Sequence, residues 1–421
     1  MTSSDPKRRR ELVSLDRQQL AAHQLERLNR LLGEILPQNA FYYQKLGRLT
    51  LLDSLEQLAD LPLTDKSELM AASDGWAANH TFAREHYVHC HQTSGTQGRP
   101  LLVLDTAEDW QWWNEGWQYV LDAAELTGRD VCMLAFSFGP FIGFWTAFDA
   151  AVQRGCLTVP GGGLTTIARL EQMQAMNATC LFCTPSYALH MAEVAAERGI
   201  DLHALPIRCL ILAGEPGGSV PSVRTRLEQL WDARILDHCG ATEVGPWGFG
   251  NLNEPGLHVN EAAFIAEFLT VETGQAAEEG ELAELVLTSL GRSGAPVIRY
   301  RTGDRVRPVN NHDRRVRFVW LDGGVLGRAD DMMIIRGVNL FPSSVECIVR
   351  EFPEIIEYRM TATKAEEMDQ LLLEIEDRKN QPQRLAEALQ ARLGLRVEVR
   401  QVPSGTLPRF EAKGKRFIDQ R

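Results

Sequence analysis

The run His91-Gln92-Thr93-Ser94-Gly95-Thr96-Gln97-Gly98-Arg99-Pro100 holds hydroxyls at 93, 94 and 96 and glycines at 95 and 98. Hydroxyls donate to phosphate oxygens, and glycines let backbone N–H groups come close to an anion, so this run suits a loop that wraps polyphosphate. Pro100 then ends it. No Gly-Lys-Ser/Thr follows, so the run is not a Walker A motif, and a P-loop phosphotransferase would lack its lysine. Taken alone, the run also reads as a plain turn. It gains meaning from four segments that follow in order: Ala213-Gly214-Glu215-Pro216, Gly240-Ala241-Thr242-Glu243, Tyr300-Arg301-Thr302-Gly303-Asp304 and Gly327-Arg328-Ala329-Asp330-Asp331, with Lys413 near the end.

The formal net charge of −12 repels nucleic acid and anionic membrane on average, so a bound anion must be held by local cations and backbone N–H groups. Arg301, Arg328, Arg336 and Lys413 are the candidate cations. The basic run Lys7-Arg8-Arg9-Arg10 is short, meets Glu11, and reads as a solvated terminus. His86, His89, Cys90 and His91, or Cys239 with His238 and His258, raise the question of zinc, which wants four ligands in tetrahedral reach. His89 and His91 alternate onto one side of an expected strand and Cys90 points away, so a structural role is preferred for both groups. Cys180 and Cys183 flank a buried-looking strand and read as core residues. The 8 cysteines are scattered without a secreted framework, which favours free thiols and a cytoplasmic setting. The polar, charged opening residues do not resemble a signal peptide.

These residues must be positioned by folded elements. A chain of 421 residues exceeds what one core usually supports, so two domains are expected. Apolar residues recur at helical spacing from Leu12 to Leu36, and Pro37 stops that helix. Beyond Pro100, short apolar runs alternate with helical ones. Strands are expected at Val131 to Phe136, Cys156 to Pro160, Ala178 to Cys183 and Cys209 to Leu212, with helices around Thr146 to Arg154 and Tyr187 to Arg198. Such alternation predicts parallel β-α-β units and an α/β architecture. Ligands in such sheets sit beyond the carboxyl ends of strands, where Thr184-Pro185-Ser186, Ala213-Gly214-Glu215 and Gly240-Ala241-Thr242-Glu243 fall. Val131 to Phe148 is uncharged, but Ser137, Gly139, Pro140 and Gly143 interrupt it, so a strand, a turn and a helix start are expected in place of a membrane span. Further on, Glu284 to Thr288 and Val316 to Trp320 read as antiparallel strands and Asp322-Gly323-Gly324 as a turn. The end of the chain, with helices at Pro342 to Phe352 and Gln381 to Leu393, suffices for a small α+β domain.

Together these segments resemble the adenylate-forming (acyl-CoA synthetase) ligases, most closely the phenylacetate-CoA ligase branch. The resemblance runs from Phe41-Tyr42 and Leu61-Pro62-Leu63-Thr64-Asp65-Lys66 to Leu407-Pro408-Arg409, and its most specific part is residues 327–342, from Gly327-Arg328 through Gly337-Val338-Asn339-Leu340-Phe341-Pro342. It implies a large multi-sheet α/β N-terminal domain, residues 1–329, that binds ATP and acid. A small mobile α+β lid, residues 330–421, would swing about a hinge at Asp330. It also implies two steps: a carboxylic acid and ATP give an acyl-AMP and pyrophosphate, and a thiol, usually that of coenzyme A, takes the acyl group. Lys413 matches the adenylation lysine, although Ala412 stands where a glycine is usual and Lys415 is nearby. Thr242 and Glu243 match the pair that contacts the α-phosphate and holds Mg²⁺; an N-cap is the plainer role for Thr242. Thr93, Ser94, Gly95, Thr96 and Gly98 match the phosphate loop, and Ala213, Gly214, Glu215 and Pro216 the adenine-side wall. Asp304 matches the ribose-binding aspartate, with Arg328 on ribose or phosphate and Arg336 among the ATP contacts. Cys239 stands where an aromatic residue is common before the glycine. Phe136, Phe141, Phe144, Trp145, Gly240 and Ala241 match the acyl pocket, where Ile142 and Phe144 replace smaller residues and suggest an acid smaller or flatter than phenylacetate. A carrier-protein pantetheine or an amine as acceptor, a homodimer, and a catalytically silent nucleotide-binding homologue are the alternatives.

Overall fold

The computed structural model describes residues 5–47, 51–72, 75–93, 100–310, 315–329, 333–335, 338–340, 342–365, 368–409 and 416–420. Helices α1 (Pro6–Val13) and α2 (Arg17–Ile35) replace the single helix expected from Leu12. The break has a local cause: Asp16 accepts the Gln19 N–H at 2.8 Å while Gln19 accepts the Asp16 N–H at 3.1 Å, a capping box that starts a new helix. The apolar face of α2 (Leu28, Leu31, Leu32, Ile35) packs on Ile265, Leu290 and Ile298. Helices α3 (Ala40–Leu46) and α4 (Lys66–Leu69) follow, the latter opened by a second capping box between Asp65 and Glu68.

Strands β1 (Tyr87–Gln92) and β2 (Leu102–Thr106) form an antiparallel hairpin in which Gln92 opposes Leu102, so Thr93 and Pro100 belong to the connection between them. Along β1, Val88 and Cys90 are exposed while His91 is buried, the alternation a one-sided strand requires. Helix α5 (Ala107–Ala123) carries Trp110, Trp112, Trp113 and Trp117 into the core and is capped by Thr106 and Asp109. An alternating series then follows: β3 (Val131–Leu134), α6 (Gly143–Arg154), β4 (Leu157–Pro160), α7 (Thr166–Met176), β5 (Cys180–Cys183), α8 (Pro185–Arg198), β6 (Cys209–Ala213), α9 (Pro221–Trp231) and β7 (Arg234–Ala241). These strands pair in parallel, and every residue of β5 and β6 is buried, as helices on both faces dictate. Val131 to Phe148 thus divides into β3, a turn region and the start of α6. No helix among the described residues is long and apolar enough to cross a membrane.

After β7 the chain turns antiparallel through β8 (Gly245–Phe249) and β9 (Gly256–Val259). Next come β10 (Phe264–Thr270), β11 (Ala283–Ser289), β12 (Tyr300–Val306), β13 (Pro308–Val309), β14 (Trp320–Asp322) and β15 (Gly327–Arg328). The nine-stranded sheet runs β13-β14-β9-β8-β7-β6-β5-β3-β4, and a four-stranded antiparallel sheet runs β10-β11-β12-β15. Of the expected strand Val316 to Trp320, only Trp320 joins a ladder. Glu261 takes the Val319 N–H at 2.6 Å and the Val13 carbonyl takes that of Arg317 at 2.7 Å, so these donors serve tertiary contacts. Asp322 ends β14, and the turn closes with Gly323 and Gly324 at φ of 70° and 69°, which glycine adopts without strain.

The C-terminal part holds β16 (Met333–Ile335), β17 (Val338–Leu340), α10 (Pro342–Arg350), β18 (Ile355–Ala365), β19 (Met368–Asp377), α11 (Pro382–Leu393), β20 (Glu398–Gln401) and β21 (Phe417–Asp419). Its last four strands form a sheet in the order β20-β19-β18-β21. A hydrophobic cluster drawn only from residues 333–417 fills it, separate from the clusters under the larger sheets.

Candidate active site

The turn between β7 and β8 carries Thr242 and Glu243. It is tight because Val244 N–H returns to the Ala241 carbonyl at 3.0 Å and Ala241 pairs with Gly245. Gly245 sits at φ +133°, and a Cβ there would lie 2.6 Å from the Trp112 ring, so only glycine lets α5 press against the turn. Thr242 is not a helix cap. Its carbonyl accepts from Arg292 Nη1 at 2.9 Å, and Arg292 Nε donates to Asp105 of β2 at 2.8 Å. Arg292 is 0% exposed and Asp105 1%. A buried ion pair therefore ties the turn to the hairpin that opens at Thr93.

Glu243 is buried, with Oε1 3.1 Å from the Lys66 ammonium and 3.1 Å from the Tyr300 hydroxyl that donates to it. Burial pushes its pKa up, but the Lys66 charge and these hydrogen bonds outweigh burial and hold the carboxyl below the usual range. Lys66 arrives on α4 because Thr64 is laced to β12: its N–H bonds the Arg299 carbonyl at 2.8 Å and its carbonyl accepts the Arg301 N–H at 2.9 Å.

Asp304 also lies on β12, opposite Arg328 of β15, whose Nη1 donates to Asp304 Oδ1 at 2.9 Å and Nη2 to the Thr302 carbonyl at 3.2 Å. Tyr300 joins the two groups electrostatically: burial chiefly, then the charges of Glu243 and Asp304, opposed by Arg328, push its phenol well above its ordinary range, so it stays a neutral donor. Tyr300 and Asp304 thus bring Glu243 and Arg328 to one strand, β12. Cys239 is close to the same charges, and burial first, with Asp304 and Asp237 next, raises its thiol. Arg301 pairs with Glu284, Nη2 to Oε2 at 2.6 Å.

Gly214 (φ +92°) follows the end of β6, and Glu215 reaches across to accept the Ser186 N–H at 2.7 Å in the first turn of α8. Burial and the nearby Glu346 raise the Glu215 pKa, with Arg416 opposing. Thr93 is buried and latches the mouth of the hairpin through paired bonds with Leu101, 3.0 and 3.1 Å long. Below it His89 and His91 lie parallel to Trp110, with centroids 3.8 and 5.4 Å from its ring. Burial, then His89 and Arg292, pushes His91 down to about 4, so the base of the hairpin carries neutral imidazole. Among the described residues no group of three or more His, Cys, Asp or Glu could hold a metal. Ser94, Gly95, Thr96, Gly98, Asp330, Arg336 and Lys413 lie outside the described residues.

The aromatic residues expected to line an acyl pocket separate into two sets. Phe136 and Phe144 stack face to face and pack on the main core. Phe141 and Trp145 are 46% and 39% exposed, and the Trp145 indole N–H donates to the Gly139 carbonyl at 2.9 Å. Phe138 (φ 48°) meets Trp145 and Phe148 edge-on. Gly240 and Ala241 lead into the Thr242 turn, at the end of β7.

Lys66, Tyr300, Arg292 and Asp105 are the site residues that sequence reasoning missed. Lys66 and Tyr300 stand inside segments singled out above, so their position was a signal. Nothing local marks Arg292 and Asp105, which lie 187 residues apart.

A family model for the AMP-binding enzyme C-terminal domain matches residues 337–421. The phenylacetate-coenzyme A ligase of Pseudomonas putida is 30% identical over 423 residues, which cover 96% of this chain and 94% of that one. The phenylacetate-coenzyme A ligase of Aromatoleum evansii is 32% identical over 77% of this chain and 73% of its own length. Among solved structures, 2-hydroxyisobutyryl-CoA ligase in its postadenylation state superposes with a TM-score of 0.91 at 25% identity, covering 100% of this chain and 94% of that one. In its thioesterification state the same ligase gives 0.73 over 96% and 91%.

Proposed function

The chain belongs to the phenylacetate-coenzyme A ligase family, and on that premise we propose that it joins an aromatic or similarly flat carboxylic acid to coenzyme A. It is an AMP-forming acid-thiol ligase, which activates the acid with ATP as an acyl-AMP and then transfers the acyl group to the thiol. The observation that supports this chemistry is that Tyr300 of β12 donates to Glu243, which Lys66 pairs, on the strand that also carries Asp304 with its partner Arg328.

Negative charge grows on the α-phosphate as the carboxylate attacks and pyrophosphate departs, so cations and N–H donors there favour the transition state over the ground state. Thr242 and the Thr93 to Gly98 run supply donors, and Lys413 supplies the cation. Glu243 suits magnesium, which binds through one or two carboxylates together with substrate phosphates and needs no all-protein cage. Glu243 would hold that ion, which would neutralise charge on the phosphates. Lys66 keeps Glu243 ionised for this role. Asp304 receives the ribose hydroxyls, with Arg328 fixing its carboxylate, and Ala213 to Pro216 wall the adenine. Arg336 is a further nucleotide contact. Phe136, Phe144, Gly240 and Ala241 bound the acid. Residues 330–421 act as the lid and turn about Asp330 between the half-reactions.

Acid-dependent ATP–pyrophosphate exchange over a panel of aryl and short aliphatic acids tests this reading. Exchange should peak with an aryl acid, and turnover with coenzyme A should release AMP. Release of ADP, or exchange indifferent to the acid, would overturn it. Discharging a preformed acyl-adenylate with coenzyme A, a pantetheinylated carrier protein or an amine separates the acceptors.

A further inference from the structure

Four of the eight cysteines stand in a row across the nine-stranded sheet, at the amino ends of its strands and so away from the site described above. Cys132 of β3 pairs in register with Cys180 of β5, and Cys180 with Cys209 of β6, so all three side chains leave the sheet on one face. Cys156 stands two residues before Thr158, the ladder partner of Cys132, and shares that face. Sulfur contacts run along the row: Cys132 is hydrogen-bonded to Cys156 and to Cys180, and Cys180 to Cys209. Cys156 also donates to the Thr127 carbonyl at 3.2 Å. It precedes β4, the edge strand, and is 7% exposed between exposed Gly155 and Leu157, whereas Cys132, Cys180 and Cys209 are 0% exposed. Solvent therefore meets the row at the Cys156 end.

Neighbouring thiols can bond to one another or share an ion, and their spacing decides between the two. A disulfide wants Cα atoms about 4.4–6.8 Å apart and Cβ atoms about 3.5–4.5 Å apart. With strands ~4.8 Å apart and a rise of ~3.3 Å per residue, Cys156 and Cys132 stand roughly 8 Å apart at Cα, too far for that bond without backbone movement. The directly opposed pairs further in lie on parallel side-chain directions ~4.8 Å apart, which also exceeds the Cβ range. An ion held between two sulfurs spans such gaps and leaves the strands where they are. Zinc is excluded, because it wants four ligands around one point, and among the described residues no three His, Cys, Asp or Glu groups converge in that way. Two sulfurs at a time, set in the apolar core, suit a soft ion of the kind that thiolates select, Cu(I).

We propose that Cys156 and Cys132 form a binding site for a soft monovalent metal ion, Cu(I), entered past Cys156 and separate from the ligase site. On binding, each thiol gives its proton to solvent and forms one sulfur–metal bond, with no change of oxidation state.

The full-length protein and its variants Cys156→Ala, Cys132→Ala and Cys90→Ser are loaded with Cu(I) under anaerobic, reducing conditions and challenged with a colorimetric Cu(I) chelator, and the copper retained per chain is counted by native mass spectrometry. Losing an outer-shell partner already weakens a metal site by about 10–100-fold, so losing a ligand should weaken retention by more than about a hundredfold. The unaltered protein and Cys90→Ser should each keep one ion, with two sulfur neighbours by X-ray absorption, while Cys156→Ala and Cys132→Ala should lose it. Circular dichroism and ATP–pyrophosphate exchange should be the same for Cys156→Ala as for the unaltered protein, since neither reads the amino ends of these strands. No retained ion, an ion that is lost with Cys90→Ser, or one that survives Cys156→Ala would overturn the proposal and leave the row as core packing. Should an alanine variant not fold, Cys156→Ser and Cys132→Ser keep the side-chain shape, lose the soft ligand, and carry the same test.

Discussion

At the scale of single residues, the site is governed by which charge is allowed to persist without water. Glu243 is buried yet ionised because Lys66 stands 3.1 Å away. A carboxylate held below its unfolded value contributes stability above that value and loses it as pH falls through the folded pKa. With Lys66→Met, the largest of the contributions that oppose burial is lost and the Glu243 pKa rises. The acid limb of the adenylation pH profile should therefore move to higher pH, and a limb that stays put would show that Glu243 is not the group being titrated. Asp304 makes a separate contribution. Asp304→Ala should raise the KM for ATP by about tenfold to a hundredfold, the range of ~1.5–3 kcal/mol for a hydrogen bond to a charged group. The KM for the acid should change far less.

At the scale of elements, the parallel strands were legible because burial on both faces writes continuous apolar runs such as Cys209–Ala213, and their carboxyl ends could be read off directly. Thr184, Gly214 and Thr242 follow three such ends. Less legible was any choice made by a partner distant in sequence. The α1–α2 break was written locally, in Asp16 and Gln19, but helical periodicity ran through it. Val316 to Val319 has strand composition, yet Glu261 and Val13 claim its donors. Phe141 and Trp145 have pocket composition, and that composition does not announce their exposure. The Arg292–Asp105 pair belongs to the same class, since neither residue has a neighbour in sequence that announces the other. Arg292→Ala leaves Asp105 buried beside a turn that has lost its brace. Breaking a buried pair costs about 3–5 kcal/mol, so the midpoint of chemical denaturation should fall accordingly. A stability change below about 1 kcal/mol, the size of an exposed pair, would contradict the burial described for it.

At the scale of the whole molecule, this chain superposes better on the postadenylation state of 2-hydroxyisobutyryl-CoA ligase, with a TM-score of 0.91, than on its thioesterification state, with 0.73. The C-terminal part has its own hydrophobic core and meets the larger part where Arg416 stands 4.0 Å from Glu215. A body so built can turn without unfolding. Adding coenzyme A to enzyme that holds a non-reactive acyl-adenylate mimic should change its X-ray scattering profile in solution, and an unchanged profile would argue against a rotating lid. The first hairpin, tied to the Thr242 turn through Arg292, offers a second place to follow the site. Of the eight cysteines only Cys90 is exposed, on the outer face of β1 and three residues before Thr93. The unaltered protein therefore comes with a natural attachment point for a thiol-reactive dye, close in sequence to the run proposed to bind polyphosphate and on the face of the strand away from the stacked imidazoles.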